Sequence, residues 1–252
     1  MGRHMVTHGK VEMQHNHCCV TNVPRGFINA AECFVLQTAD GFVINHYTEF
    51  TAQTGDASVS ISGSYLRDGK VTVAVNAAVP LKLALRIPAF SGVTTVNGTQ
   101  IKAVDGYYTM DLSAGETLLA LQFEMKVNLR EMTKLPERFL SEDFRVRRYI
   151  IDNPVREEDM IWDRRATVVY GPLLLTRSKL VGNTEQEMFD SDTVANKDFS
   201  CHVMPVDSDA VNYAFLVTFQ NKAESITTMM CDYGSGTNVE SPEDDRLFNI
   251  YI

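Results

Sequence analysis

A chain of 252 residues is long enough for one large core or two smaller ones, and 44% hydrophobic with 22% charged residues is an ordinary globular composition, which excludes a disordered or fibrous protein. A net charge of -9 with no compensating Lys/Arg stripe repels phosphate backbones, so nucleic acid is not an expected partner. No apolar run approaches the roughly 18 residues that a bilayer span needs, so a membrane-embedded chain is not expected either.

Met1-Gly2-Arg3-His4-Met5 has no apolar stretch of the secretory kind and reads as a cloning remnant. Five cysteines, at 18, 19, 33, 201 and 231, are odd in number and irregularly spaced, which argues against a disulfide framework and suits a reducing compartment or a metal. Val23, Phe27, Ala30, Ala31, Phe34 and Val35 then recur at helical spacing, with Thr21 or Asn22 as N-cap and Pro24 in the first turn, predicting a helix over about 23–38 that Asp40-Gly41 ends.

From Phe42 the period changes from 3.6 to 2 and stays so almost to the end. Val71, Val73 and Val75 alternate with small or polar residues, and Leu81, Leu83, Leu85 and Ile87 alternate with Lys82, Ala84, Arg86 and Pro88, which predicts two strands, each with one buried face, sharing a sheet. Asn97-Gly98 has the left-handed-tolerant residues of a tight type I′ hairpin turn, and this accounts for Asn97-Gly98-Thr99 more cheaply than a glycosylation acceptor does. Strands over 107–112 and 117–127 complete a first antiparallel sandwich.

The charged, Pro-containing segment 130–163 reads as a domain junction. Further strands are predicted at 166–169, 173–176, 213–219, 225–230 and 247–252, with a polar loop over 182–200, and together they suggest a second sandwich. The expected fold is therefore mainly β, with two antiparallel, jelly-roll-like β-sandwich domains preceded by one α-helix. The expected divisions are 1–41, 42–130 and 131–252.

The densest metal-competent group is His15-Asn16-His17-Cys18-Cys19, placed by this reading just before the helix. Thiolates and imidazoles are the preferred ligands of zinc, and neighbouring sulfurs serve together if a turn directs both inward. Spacing alone leaves two readings open, a metal site or a buried or incidental thiol pair, because no Cys-x-x-Cys occurs.

His17-Cys18-Cys19-Val20-Thr21-Asn22-Val23-Pro24-Arg25 resembles the Cys-Cys-x-x-Asn-x-x-Arg motif of family 127 glycoside hydrolases, the β-L-arabinofuranosidase group formerly a domain of unknown function. Leu85-Arg86-Ile87-Pro88-Ala89-Phe90, Val96-Asn97-Gly98, Gly106-Tyr107-Tyr108, Ala114-Gly115-Glu116, Gly171-Pro172-Leu173 and Cys231-Asp232-Tyr233-Gly234 follow in the order that family shows. The resemblance covers roughly residues 15–252.

It implies a retaining hydrolase for β-L-arabinofuranosides or related plant-type glycans. A zinc-bound cysteine thiolate attacks the anomeric carbon, and a glutamic acid protonates the leaving oxygen and later acts as base. Cys18 matches the nucleophile and zinc ligand, Cys19 a second zinc ligand, and Asn22 and Arg25 motif residues that hold the turn and helix start.

In the family, a glutamate and another cysteine of the zinc site, the acid/base glutamate and the sugar-binding residues come from an (α/α)6 barrel upstream of the doubled cysteine. The lone helix is then expected to be that barrel's last one, and two sulfurs cannot by themselves close a tetrahedral zinc site unless His15 or His17 substitutes. The chain alone is expected to be inactive. The rival expectation is a non-catalytic β-sandwich module for carbohydrate binding or assembly; the expected setting is a soluble protein of the bacterial cytoplasm or periplasm, and an exposed helix or β-domain would allow a homodimer.

Glu142-Asp143 and Glu157-Glu158-Asp159 are carboxylate clusters of the glycosidase type that solvated connectors also carry. Trp162 with Tyr107, Tyr108 or Tyr149 could stack on sugar rings, although core packing is the commoner role for such residues. Cys33 is expected to be a small buried hydrophobe on the helix, Cys201 and Cys231 strand residues, and His46 and His202 structural histidines.

Overall fold

The computed structural model describes residues 17–131, 166–182, 199–236 and 248–249. Helix α1 (His17–Glu32) is followed by β1 (Val35–Gln37), β2 (Gly41–Ile44), β3 (Phe50–Thr54), β4 (Ala57–Gly63), a one-turn helix α2 (Tyr65–Asp68), β5 (Lys70–Ala77) and β6 (Leu81–Arg86). Next come β7 (Thr94–Val96), β8 (Thr99–Ile101), β9 (Tyr107–Leu112) and β10 (Gly115–Phe123). The described residues fall into two compact units, the first running through Lys126 and the second beginning at Val127.

The first unit is a sandwich of a four-stranded sheet, ordered β1-β2-β6-β9, and a six-stranded sheet, ordered β3-β4-β5-β10-β7-β8. Its core follows from the period-2 pattern. Val71, Val73 and Val75 of β5 and Leu81, Leu83 and Leu85 of β6 are buried in one cluster with Ile44, Val59, Leu119 and Phe123. Full burial of one such side chain contributes about 1.5–3 kcal/mol. Tyr47 closes one end, ringed by Tyr65 and Phe123, with its hydroxyl donating to the Arg86 carbonyl at 2.7 Å.

β5 and β6 do not share a sheet, as their matching alternation suggests; they face one another from opposite sheets. The linker 78–80 ends in Pro80, which lacks an N–H for a tight hairpin ladder. The Lys82 N–H bonds instead to the Asp40 carbonyl, bringing β6 alongside β2. That pairing is parallel, with Gly41 opposite Lys82, and a Cβ at Gly41 would stand 1.8 Å from the Lys82 carbonyl oxygen. The Asn97-Gly98 turn is as expected: Val96 pairs Thr99 across it, and both turn residues take positive φ, 50° and 78°.

The helix departs from expectation at both ends. It begins at His17, so Thr21 and Asn22 lie inside it and do not cap it, and Pro24 sits in its interior rather than its first turn. One proline removes only the bond its N–H would make to the Val20 carbonyl, and the turns on either side continue. The far end comes at Glu32, because Val35–Gln37 are claimed by β2 in a hairpin closed by the Thr38 N–H on the Gly41 carbonyl at 2.8 Å. Strand structure therefore starts at Val35 and not at Phe42.

The second unit consists of β11 (Val127–Glu131), β12 (Ala166–Tyr170), β13 (Leu173–Ser178), β14 (Ser200–Val206), β15 (Ala214–Gln220), β16 (Ser225–Asp232), a one-turn helix α3 (Tyr233–Gly236) and β17 (Phe248–Asn249). Its strands are antiparallel in the order β11-β12-β13-β16-β15-β14, with β17 on β13. The end strands β11 and β14 come within 8 Å of each other, so the sheet curls around Val168, Leu175, Phe215, Val217, Phe219 and Met230. β14 carries Pro205, tolerable because β15 is its sole ladder partner among the described residues. The stretch read as a junction lies outside the described residues from 132 to 163, as does 183–198 of the polar loop.

Candidate functional site

Cys18 and Cys19 occupy the first turn of α1 instead of a turn ahead of it. Asn22 follows one turn later, and Arg25, directly after Pro24, is exposed. Phe27 and Ile28 further along the helix are 73% and 61% exposed. His15 lies outside the described residues.

The C-terminal end of α1 is fastened to the first sandwich. Cys33 and Phe34 tighten the last turn through bonds to the Ala30 and Ala31 carbonyls, at 3.0 and 3.1 Å. Asn45, just after β2, then grips this turn: its backbone N–H donates to the Phe34 carbonyl at 2.8 Å, and its side-chain Nδ2 donates to the Cys33 carbonyl at 3.0 Å. The Tyr107 hydroxyl of β9 donates in turn to Asn45 Oδ1 at 2.7 Å. Phe34 packs its ring on His46 at 4.9 Å and edge-on against Phe50 at 5.9 Å. Partial burial, with Arg86 nearby, holds the His46 imidazole below its ordinary pKa and favours the neutral ring.

The remaining cysteines sort by exposure. Cys33 is exposed in the turn after the helix and is not the buried hydrophobe that its spacing suggested, because α1 ends one residue before it. Cys201 and Cys231 are strand residues as expected, on β14 and β16. Burial pushes both thiols up to about 12, with the Asp232 charge adding to the effect at Cys231. The Asp232 carboxylate accepts from the Tyr213 N–H at 3.1 Å and the Ser235 N–H at 2.8 Å, so this acidic residue is spent on fixing the loop before β15 and the turn of α3. Tyr107 is likewise committed, through its hydroxyl, to Asn45. His46 packs against Phe34 as a structural histidine, whereas His202 is exposed. Glu142, Asp143, Tyr149, Glu157, Glu158, Asp159 and Trp162 lie outside the described residues.

Among the described residues no three His, Cys, Asp or Glu side chains gather to hold a metal ion. The donor chemistry of His17, Cys18 and Cys19, soft sulfur with imidazole beside it, fits zinc as part of a tetrahedral set. Among the described residues no helix is long and apolar enough to cross a membrane.

No family model and no curated protein matches the sequence. Solved structures do match the fold. Over 94% of this chain, it superposes on a GH127 β-L-arabinofuranosidase from Geobacillus stearothermophilus T6 with a TM-score of 0.58 at 15% identity, using 37% of that enzyme. A structure described as a glycoside hydrolase gives a TM-score of 0.60 at 15% identity, with 94% of this chain on 39% of the other. A further GH127 β-arabinofuranosidase gives 0.55 at 14%, with 94% on 38%. The resemblance drawn from the doubled cysteine and the strand motifs is matched at the level of the fold, and the chain spans less than two fifths of these structures' length.

Proposed function

We propose that this chain is the C-terminal part of a retaining glycoside hydrolase for β-L-arabinofuranosides or related plant-type glycans, contributing its cysteine nucleophile and half of a zinc site. What supports the reading is the coincidence of a fold shared with such enzymes over 94% of the chain and two adjacent thiols in the first turn of its leading helix. Bound zinc would lower the thiol pKa and supply thiolate at neutral pH. The Cys18 thiolate attacks the anomeric carbon, forming a carbon–sulfur bond as the glycosidic carbon–oxygen bond breaks. A glutamic acid outside this chain gives its proton to the leaving oxygen, then as carboxylate activates the water that releases the sugar. Cys19 shares the metal, and Asn22 and Arg25 hold the helix that presents both sulfurs.

Metal analysis of the purified protein is the test. The expected result is about one tightly held zinc per chain when the remaining ligands are supplied by the upstream polypeptide, and its loss in Cys18→Ser. Binding unaffected by Cys18→Ser and Cys19→Ser would overturn the reading. A second reading, a β-sandwich module for carbohydrate binding or assembly, draws on the two-sheet sandwich of the first unit. Metal-free protein that retains plant-type oligosaccharides on an affinity column is its signature.

A further inference from the structure

We infer that Asn45 is a positioning residue, the clip through which the first sandwich sets the direction of the thiol-bearing helix. This rests on the proposed role of Cys18 and Cys19. The contacts converge on one side chain from distant parts of the sequence. Asn45 Nδ2 holds the Cys33 carbonyl at the end of α1, while Asn45 Oδ1 is itself held by the Tyr107 hydroxyl, 62 residues further along on β9. The backbone N–H of Asn45 adds a bond to Phe34, and the Phe34 ring is seated between His46 and Phe50.

A planar amide that both donates and accepts in one plane fixes the orientation as well as the presence of its neighbours. Upstream of this joint the helix from Pro24 to Ala30 is exposed. A small rotation at Cys33 is therefore carried along the axis to Cys18 and Cys19, at 1.5 Å of rise per residue. The core lies elsewhere: Asn45 is not among the buried side chains around Ile44, Leu83 and Phe123. Removing the clip should thus loosen the helix without unfolding the sandwich.

The experiment is a pulsed spin-label distance measurement on the full chain, between Cys19 and a label at Leu118→Cys on the open face of β10, where Leu118 is 68% exposed. Cys18, Cys33 and Cys201 are replaced by Ser in the background; at Cys33 only the backbone carbonyl is used, so the clip survives. In the parent the distance distribution should be narrow. Asn45→Asp, which keeps the acceptor but loses the donor, should broaden it about twofold, and hydrogen exchange at 25–32 should quicken by about tenfold. Tyr107→Phe, which removes only the supporting bond, should fall between, with Tm close to the parent in both variants. An unchanged distribution in Asn45→Asp overturns the inference, as does a fall in Tm with the distribution unchanged, which would assign Asn45 to stability alone. Neither readout involves zinc, so failure here leaves the zinc analysis standing, and a missing zinc site leaves the clip standing.

Discussion

Cys33 and Cys231 show how much one turn of backbone decides for a thiol. Cys33 is exposed, whereas Cys231 is buried with its sulfur donating weakly to the Thr176 carbonyl at 3.8 Å. A disulfide reagent at pH 8 should modify Cys33 within the mixing time and spare Cys231 until denaturant is added; peptide mapping of the labelled protein checks this. The raised pKa of Cys231 has a sign. Its folded value of about 12 lies above its ordinary 9.0, so its contribution is complete below pH 9 and is lost as the pH climbs towards 12. The urea midpoint should hold up to about pH 9 and then fall, less steeply in Cys231→Ala. Gly41 is the opposite case, a position where adding one carbon matters, because a Cβ would meet backbone, not a movable side chain. Gly41→Ala should cost about 1–3 kcal/mol by chemical denaturation. Cys18 and Cys19 could be picked out by eye because their chemistry is carried by residue type. Asn45 could not, because its importance comes from partners 12 positions before it and 62 after it, and nothing local marks them.

At the level of elements, strands were more legible than the helix. Alternation in Val71–Val75 and Leu81–Leu85 identified two strands and their buried faces, but the same alternation fits a shared sheet or opposed sheets equally well. The choice is made by the Pro80 linker and the Asp40 carbonyl. At β14 only Cys201 reads as a strand residue, because Pro205 and a polar approach disguise the extent of an edge strand. Pro24 is a common first-turn residue and reads as a start signal, whereas α1 begins at His17 and runs through it. Pro24→Ala restores a donor to the Val20 carbonyl and should stabilise the helix by up to about 3 kcal/mol, visible as slower hydrogen exchange around 24–28 with the sandwich amides unchanged. The Asn97-Gly98 turn was legible outright, since few residues accept positive φ twice in succession. Gly98→Ala, at φ 78°, should cost about 1–2 kcal/mol in a urea titration.

For the whole molecule, charge and apolar exposure pull in opposite directions. A net charge of -9 disperses the chain at pH 7, and that repulsion vanishes near the pI of 5.1. Phe27 and Ile28 are exposed and carry no charge, so sedimentation velocity should show association growing towards pH 5 and reduced in the double variant Phe27→Ser, Ile28→Thr. The parallel pairing of β2 with β6 has a different kind of consequence, one of timing. Gly41 waits for Lys82 while β3, β4 and β5 are laid down in the facing sheet, and Leu81 then waits for Leu112. A nascent chain halted before Lys82 therefore carries Phe42 and Ile44 without their partners on β6, and such interrupted products are natural clients for chaperones and proteases.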